Sequence, residues 1–245
     1  MKNLVKIGLI RLSKNLYYIL GCILAVVITY WVIVTRPIPQ LMRHDVLDVA
    51  ILLSAAITAY FSAFVGLFIG NENEDGILRN KVMVGHTQPQ AYFSSYITFI
   101  VALVGMMVCW LLGAFAAGLT ISSRLLIYIL ISFLSNAAYI AVVQAIVFRF
   151  KKQVVGIMAG IGLLYVLLTS ILMGNFFYMI TDGQVIMQKI VTVFYNVSAL
   201  GQCFARTVLS DPGLANTGIQ ISVSVIVFLA ATFLGTLGLG KRDIN

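Results

Sequence analysis

The sequence predicts an all-α integral membrane protein with six transmembrane helices, and two observations support this fold class. Hydrophobic residues make up 61% of the 245 residues and charged residues only 10%, whereas soluble domains are about half apolar and a quarter charged. Several apolar runs exceed about eighteen residues, which is long enough for a helix to cross a bilayer. Because lipid cannot satisfy open strand edges, we expect these spans to be helical.

The first element is an amphipathic helix over residues 1–15, expected to lie in the membrane interface. At helical spacing most of its leucines share one face, and the bases fall outside that face. These bases are Lys2, Lys6, Arg11 and Lys14. A signal peptide is the competing interpretation, but the apolar run that follows is too long for one.

The remaining elements follow from the apolar runs and the breaks between them, within one transmembrane domain over residues 1–245. Pro37 and Pro39 end the first run, because proline cannot continue a helix. The predicted spans cover residues 16–35, 46–70, 91–118, 125–148, 154–174 and 218–239.

Small residues recur every four positions in two of these spans. They are Ser62, Gly66 and Gly70 in the second span and Gly156 and Gly160 in the fifth. This spacing lets helix backbones approach closely, so we expect these residues to serve helix packing.

Two amides, Asn136 and Gln144, lie inside the fourth span. Eight residues separate them, so they share a helix face. Such amides usually bond a neighbouring helix, although they also suit a substrate path. We favour packing and keep the path as the alternative.

Residues 175–217 form a long segment between the last two spans, and segments of that length are seldom structureless. Residues 185–204 are apolar enough for a helix that enters the outer leaflet without crossing it, with Gly201 as a possible break. Treating them as a span instead would reverse the final terminus.

Orientation follows from lysine and arginine, which accumulate on the cytoplasmic side of membrane proteins. With the N-terminus inside, the inner segments hold eleven of these residues and the outer segments five. We therefore expect both termini and the loop over residues 71–90 to face the cytoplasm. The net charge of +8 then reflects basic loops and not nucleic-acid binding.

The 71–90 loop is strongly polar and carries both charge signs. Glu72, Glu74 and Asp75 precede Arg79 and Lys81, and Gly85 follows. Acids before bases suit a short helix with its dipole, and glycine suits the position after its last turn. The residues alone fit an interfacial helix that only joins two spans as well as one that docks a partner. Thr87 and Gln90 then predict the capping box of the next helix.

The run Glu74-Asp75-Gly76-Ile77-Leu78-Arg79-Asn80-Lys81, followed by Gly85 and Tyr92-Phe93-Ser94, resembles the loop between the second and third spans of bacterial type 2 ABC-transporter permeases. The six-span layout extends this resemblance over the whole chain. The resemblance implies a coupling helix that docks a cytoplasmic ATPase. Its residues would be Glu74, Asp75, Gly76, Ile77, Leu78, Arg79, Asn80, Lys81, Val82 and Gly85. In that role Ile77, Leu78 and Val82 would fill a groove on the ATPase, while the charged residues fix the register.

The same resemblance implies the permease subunit of an ATP-driven exporter in the bacterial cytoplasmic membrane. Its substrate would be amphipathic, such as a peptide, a bacteriocin-like toxin or a drug. The permease would pair with an identical or related chain in the lipid bilayer and bind two copies of the ATPase, which would hold the ATP and Mg²⁺. An ion-coupled secondary transporter or channel is the first alternative function, and a non-transporting scaffold or sensor subunit is the second.

The chain itself is expected to carry no catalytic residue, cofactor or metal. The run from Gly235 to Lys241 follows most of a phosphate-loop pattern, but Arg242 stands where that pattern needs serine or threonine. The cysteines have no metal-ligand or disulfide spacing. We therefore expect ATP hydrolysis on a separate subunit and no enzyme activity in this chain.

Overall fold

A computed structural model of the chain describes residues 1–37, 45–150, 152–180, 185–204 and 215–237. These residues form helices joined by short connections, and no strand occurs among them. In chain order the helices are α1 (Lys2–Ser13), α2 (Leu16–Thr35), α3 (Val46–Glu74), α4 (Ile77–Met83), α5 (Gln88–Ala116), α6 (Ser123–Val147), α7 (Gln153–Ile180), α8 (Val185–Val197), α9 (Ala199–Phe204) and α10 (Thr217–Thr236).

Six of the described helices are long and apolar enough to cross a membrane, which confirms the predicted number. They are α2, α3, α5, α6, α7 over Gln153–Gly174, and α10. Helix α7 continues six residues past the predicted end of the fifth span, and α3 continues four residues past the predicted end of the second span. This extension carries the acids of the 71–90 loop into the helix.

The six long helices form a central trio flanked by three peripheral helices. The spanning windows of α3, α5 and α6 are 56%, 44% and 61% buried. Those of α2, α7 and α10 are only 17%, 17% and 22% buried, and these helices pack mainly on α5, α3 and α6 respectively. The peripheral helices therefore present most of their apolar surface outward, to lipid or to another chain.

Helices α3 and α7 approach each other backbone to backbone through the predicted small residues. A Cβ atom added to Gly66 would lie 2.7 Å from the carbonyl carbon of Gly156. One added to Gly160 would collide with the carbonyl oxygen of Ser62, and one added to Gly70 would lie 2.5 Å from the Cα of Gln153. This interface therefore has no room for larger side chains.

The amides of α6 bond neighbouring helices. Asn136 is buried, donates to the Ser132 carbonyl oxygen at 2.8 Å and accepts from the Thr58 hydroxyl on α3 at 2.7 Å. Gln144 is also buried and donates to the Tyr92 carbonyl oxygen on α5 at 2.8 Å. These bonds favour the packing interpretation over a substrate path.

Residues 185–204 are helical but form two short pieces, α8 and α9, of 13 and 6 residues. The break is at Ser198 and not at the expected Gly201. The Ser198 hydroxyl oxygen accepts from the Gly201 amide at 3.0 Å and so caps α9, which explains the position of the break. Each piece is shorter than the roughly 20 residues that a spanning helix needs.

A buried polar network holds α9 against α10. The Gln202 side-chain amide donates to the carbonyl oxygens of Asn196 at 3.0 Å and Gln220 at 3.3 Å. The Ser224 hydroxyl donates to the Gln202 side-chain oxygen at 3.1 Å. Since these side chains are buried, the network fixes the α8–α9 segment to α10.

The α3–α7 contact predicts a large difference between two glycines. Gly66→Val should lower the free energy of unfolding by about 1–3 kcal/mol, because the side chain must displace backbone. Gly162→Val is the matched control, since its added Cβ meets nothing within 4 Å, and it should change stability by less than about 0.5 kcal/mol. Equilibrium unfolding in detergent measures both. Equal losses would contradict the contact.

Candidate functional site

Helix α4 is a separate seven-residue helix bounded by two glycines in the left-handed conformation. Gly76 precedes it with φ of +67° and Gly85 follows it with φ of +93°. Glycine adopts this conformation without the steric cost that other residues meet. Helix α5 then begins with the predicted capping box, which is confirmed: the Gln90 amide donates to the Thr87 hydroxyl, and the Thr87 amide donates to the Gln90 side chain.

The expected order of acids and bases along one short helix is wrong. Glu72 and Glu74 lie in the last turn of α3 and Asp75 caps that helix, so the first turn of α4 carries no acid. The reason is Gly76, whose left-handed backbone ends α3 before the basic residues begin. The acids and the bases therefore lie on two helices that meet at a turn.

A buried ion pair joins these two helices. The Lys81 ammonium nitrogen lies 3.0 and 2.9 Å from the two carboxylate oxygens of Glu72. Glu72 is 1% exposed and Lys81 is 9% exposed. A buried charge needs such a partner, so α4 is held in one place relative to the end of α3.

Arg11 of α1 completes the cluster from the other side. Its Nη1 lies 2.5 Å from Glu72 Oε1, and its guanidinium carbon lies 5.3 Å from the centroid of the Phe68 ring. The side chain of Arg11 is 28% exposed. Helices α1, α3 and α4 thus meet at one carboxylate, and we call Arg11, Glu72 and Lys81 the Glu72 cluster.

From the sequence, Glu72 counts among the acids of the 71–90 loop and Arg11 among the bases of the first helix, but their pairing was not predicted. A signal was present: Val65, Phe68, Ile69 and Glu72 follow helical spacing along the buried face of α3. An acid on such a face requires a cation, because burying an unpaired carboxylate is costly. Its identity could not be read from the chain, since Arg11 lies 61 residues away.

The end of α3 also holds the start of α7. Glu74 Oε1 accepts a hydrogen bond from the Gln153 amide at 3.1 Å, which satisfies a free N–H at the α7 N-terminus. The Asn73 side chain donates to the Phe150 carbonyl oxygen at 3.1 Å. Three consecutive residues, Glu72 to Glu74, therefore link α3 to four other segments.

Not all residues predicted to dock a partner are available for it. Ile77, Leu78 and Val82 are half-buried, and Leu78 packs against the core. Lys81 is committed to Glu72. The outward residues, which we call the α4 surface, are Arg79, Asn80, Met83 and Val84, with Met83 65% exposed and Val84 79% exposed.

The phosphate-loop-like run begins inside α10. Gly235 lies within α10, so helix continues through the start of the phosphate-loop-like run, and Lys241 and Arg242 lie outside the described residues. Within the described ranges, no three or more His, Cys, Asp and Glu residues are grouped so that they could hold a metal ion.

A double-mutant cycle tests the Glu72 cluster. Glu72→Ala alone should lower the free energy of unfolding by about 3–5 kcal/mol, because it leaves buried cations unpaired. Combined with Lys81→Ala, the two losses should depart from additivity by about 0.5–3 kcal/mol. The control pair is Asp75→Ala with Arg79→Ala, both exposed, which should be additive within about 0.5 kcal/mol. Additive behaviour of both pairs would show that the cluster stores no coupling energy.

Comparisons of the chain with protein-family models, with curated proteins and with solved structures give no significant match. A function must therefore be inferred from the arrangement of the chain's own residues.

Proposed function

We propose that this chain is the permease subunit of an ATP-driven ABC exporter in the bacterial cytoplasmic membrane. A separate cytoplasmic ATPase docks on the α4 surface and supplies the energy. The substrate is amphipathic, with peptides, bacteriocin-like toxins and drugs as the chemical classes that fit best. Two permease chains, identical or related, pair with two ATPase copies.

The observation that carries this proposal is the exposed α4 surface on a helix that is fixed to its own protein. Arg79 and Asn80 offer polar contacts, while Met83 and Val84 offer apolar ones. Met83 and Val84, 65% and 79% exposed, form a small apolar patch that a docked protein would remove from water. Their position between the second and third spans agrees with the resemblance to type 2 permeases.

The Glu72 cluster supports a mechanical role for this surface. A force on α4 passes through Lys81 to Glu72, then to α1 through Arg11. The hydrogen bond from Gln153 to Glu74 carries the same force to α7. The two links to Glu72 are short and partly or fully buried, and the link through Glu74 is short but exposed. Through them, closure of an ATPase dimer would move α1, α3 and α7 together. Export then follows as a shift in population between two arrangements of the spans.

Partners and substrate follow from the remaining surface. Helices α2, α7 and α10 keep most of their apolar surface outside the protomer, which suits lipid and a second permease. The outer segment α8–α9 has an exposed apolar side with Ile186, Ile190 and Val193. Such a surface suits an amphipathic substrate at the outer leaflet.

The alternative functions make different demands on the same residues. An ion-coupled carrier or channel needs polar groups along its path, whereas Asn136 and the side-chain nitrogen of Gln144 bond neighbouring helices. A scaffold or sensor would bind a partner at α4 without coupled movement. Vanadate-sensitive ATP hydrolysis in liposomes, stimulated by candidate peptides, distinguishes the exporter from both. Transport by the purified chain alone would favour the carrier.

Docking is tested by reversing one exposed charge on α4. Arg79→Glu should reduce co-purification of the co-expressed ATPase at least about tenfold, because a like-charge contact costs several kcal/mol. Its own melting temperature should not change, since Arg79 is exposed. Lys152→Glu, at an exposed base away from α4, is the control and should retain the ATPase.

Lys81→Glu is expected to behave differently from Arg79→Glu. It should lower the free energy of unfolding, because it places a second acid beside Glu72. If Arg79→Glu and Lys152→Glu retained the ATPase equally, α4 would not be the docking surface.

Orientation is tested by labelling single cysteines in a cysteine-free variant. Asn80→Cys on the α4 surface should react with a membrane-impermeant maleimide only after the cells are opened. Ile121 lies between α5 and α6 and is 76% exposed, so Ile121→Cys should react in intact cells. The reverse pattern would place α4 outside and remove the basis for a cytoplasmic ATPase.

A further inference from the structure

Helix α1 separates into two sides with different partners. Its buried residues Leu4, Gly8 and Leu12 follow helical spacing and face the protein. Gly8 lies so close to the Thr98 hydroxyl that a side chain there would collide with it. Thr98 lies ten residues into α5, or about 15 Å along its axis. Helix α1 is thus packed beside the N-terminal part of α5.

A groove remains between the other side of α1 and α5. Its volume is about 640 Å³. The residues that line it and matter here are Lys2, Val5, Lys6, Leu9 and Ile10 from α1 and Ile97 from α5. The wall is apolar along most of its length and basic at one end, and none of the described residues that line it is acidic.

The spacing of the two lysines gives that end its chemistry. Lys2 and Lys6 are four residues apart on a helix, so they are neighbours with Cβ atoms about 5–6 Å apart. Both are exposed, and neither can be neutralised within α1, which contains no acid. Two ammonium groups at this spacing suit a single phosphate group with several acceptor oxygens.

We propose that this groove binds an anionic phospholipid of the inner leaflet. The phosphate lies between Lys2 and Lys6, and an acyl chain runs along Leu9, Ile10 and Ile97. A lipid is the occupant that matches the charge and the apolar wall together: the cytoplasmic leaflet is anionic and attracts basic segments near its surface. An occupied groove holds α1 on α5 and thereby favours the contact between Arg11 and Glu72.

The inference uses the same orientation as the proposed function but does not require ATPase docking, so either can fail alone. Native mass spectrometry of the purified chain in mixed micelles of phosphatidylglycerol and phosphatidylethanolamine counts the lipids that remain bound. The wild-type protein should retain phosphatidylglycerol preferentially.

Two variants and one control test the groove itself. Lys2→Gln with Lys6→Gln should weaken this preference about thirtyfold, or about fivefold for each lysine. Ile97→Trp keeps both charges but fills the groove, and it should also lose bound phosphatidylglycerol. The control, Lys14→Gln with Lys152→Gln, removes the same charge from exposed sites outside the groove and should behave as the wild-type chain.

Three outcomes would overturn the proposal. One is an equal loss in the control, which would mean that total charge alone attracts the lipid. Another is retention of phosphatidylglycerol by both groove variants. The third is a dimer that Ile97→Trp dissociates, which would make the groove an interface between chains. All the substituted lysines are exposed, and Ile97 is 38% exposed. We therefore expect every variant to fold.

Discussion

One buried carboxylate organises the junction of three helices in this protein. Glu72 lies in the last turn of α3, where water is largely excluded, and it pairs with Arg11 and Lys81. In such surroundings an unpaired carboxylate is costly, whereas a paired one binds its neighbours in a single geometry. Residues distant in sequence are therefore held together: α1 from the first fifteen residues, the end of α3, and α4. Without this charge, the short helix α4 would have only partly buried apolar contacts to hold it.

The long helices were predicted from the sequence more accurately than the junctions, that is, the contacts that join helices to one another. The six long helices follow from the lengths of the apolar runs, because crossing a bilayer leaves few other solutions. The start of α5 follows from Thr87 and Gln90, since a capping box is a local feature. The small residues of α3 and α7 also came from local spacing, although their mutual contact depends on how distant helices pair.

The junctions were harder to predict because they depend on contacts between segments that are far apart in the chain. The pattern at Glu74–Lys81 favoured one helix with a favourable dipole, but the left-handed conformation of Gly76 divides it. Lys81 looked like a surface base and is instead buried against Glu72. Likewise Ser198 ends α8 through a hydroxyl cap that competes with a more obvious glycine. At Lys81 and Ser198 a specific polar contact decided the structure, whereas at Gly76 the left-handed backbone of a glycine did.

The backbone contact between α3 and α7 restricts how the protein can change shape. Turning either helix about its axis would bring a bulky side chain to a place where Gly66, Gly156 and Gly160 leave no room. We therefore expect these two helices to move together as one rigid unit. Relative movement of helices is therefore expected at contacts where side chains meet side chains, because there rotamers can rearrange without displacing main chain.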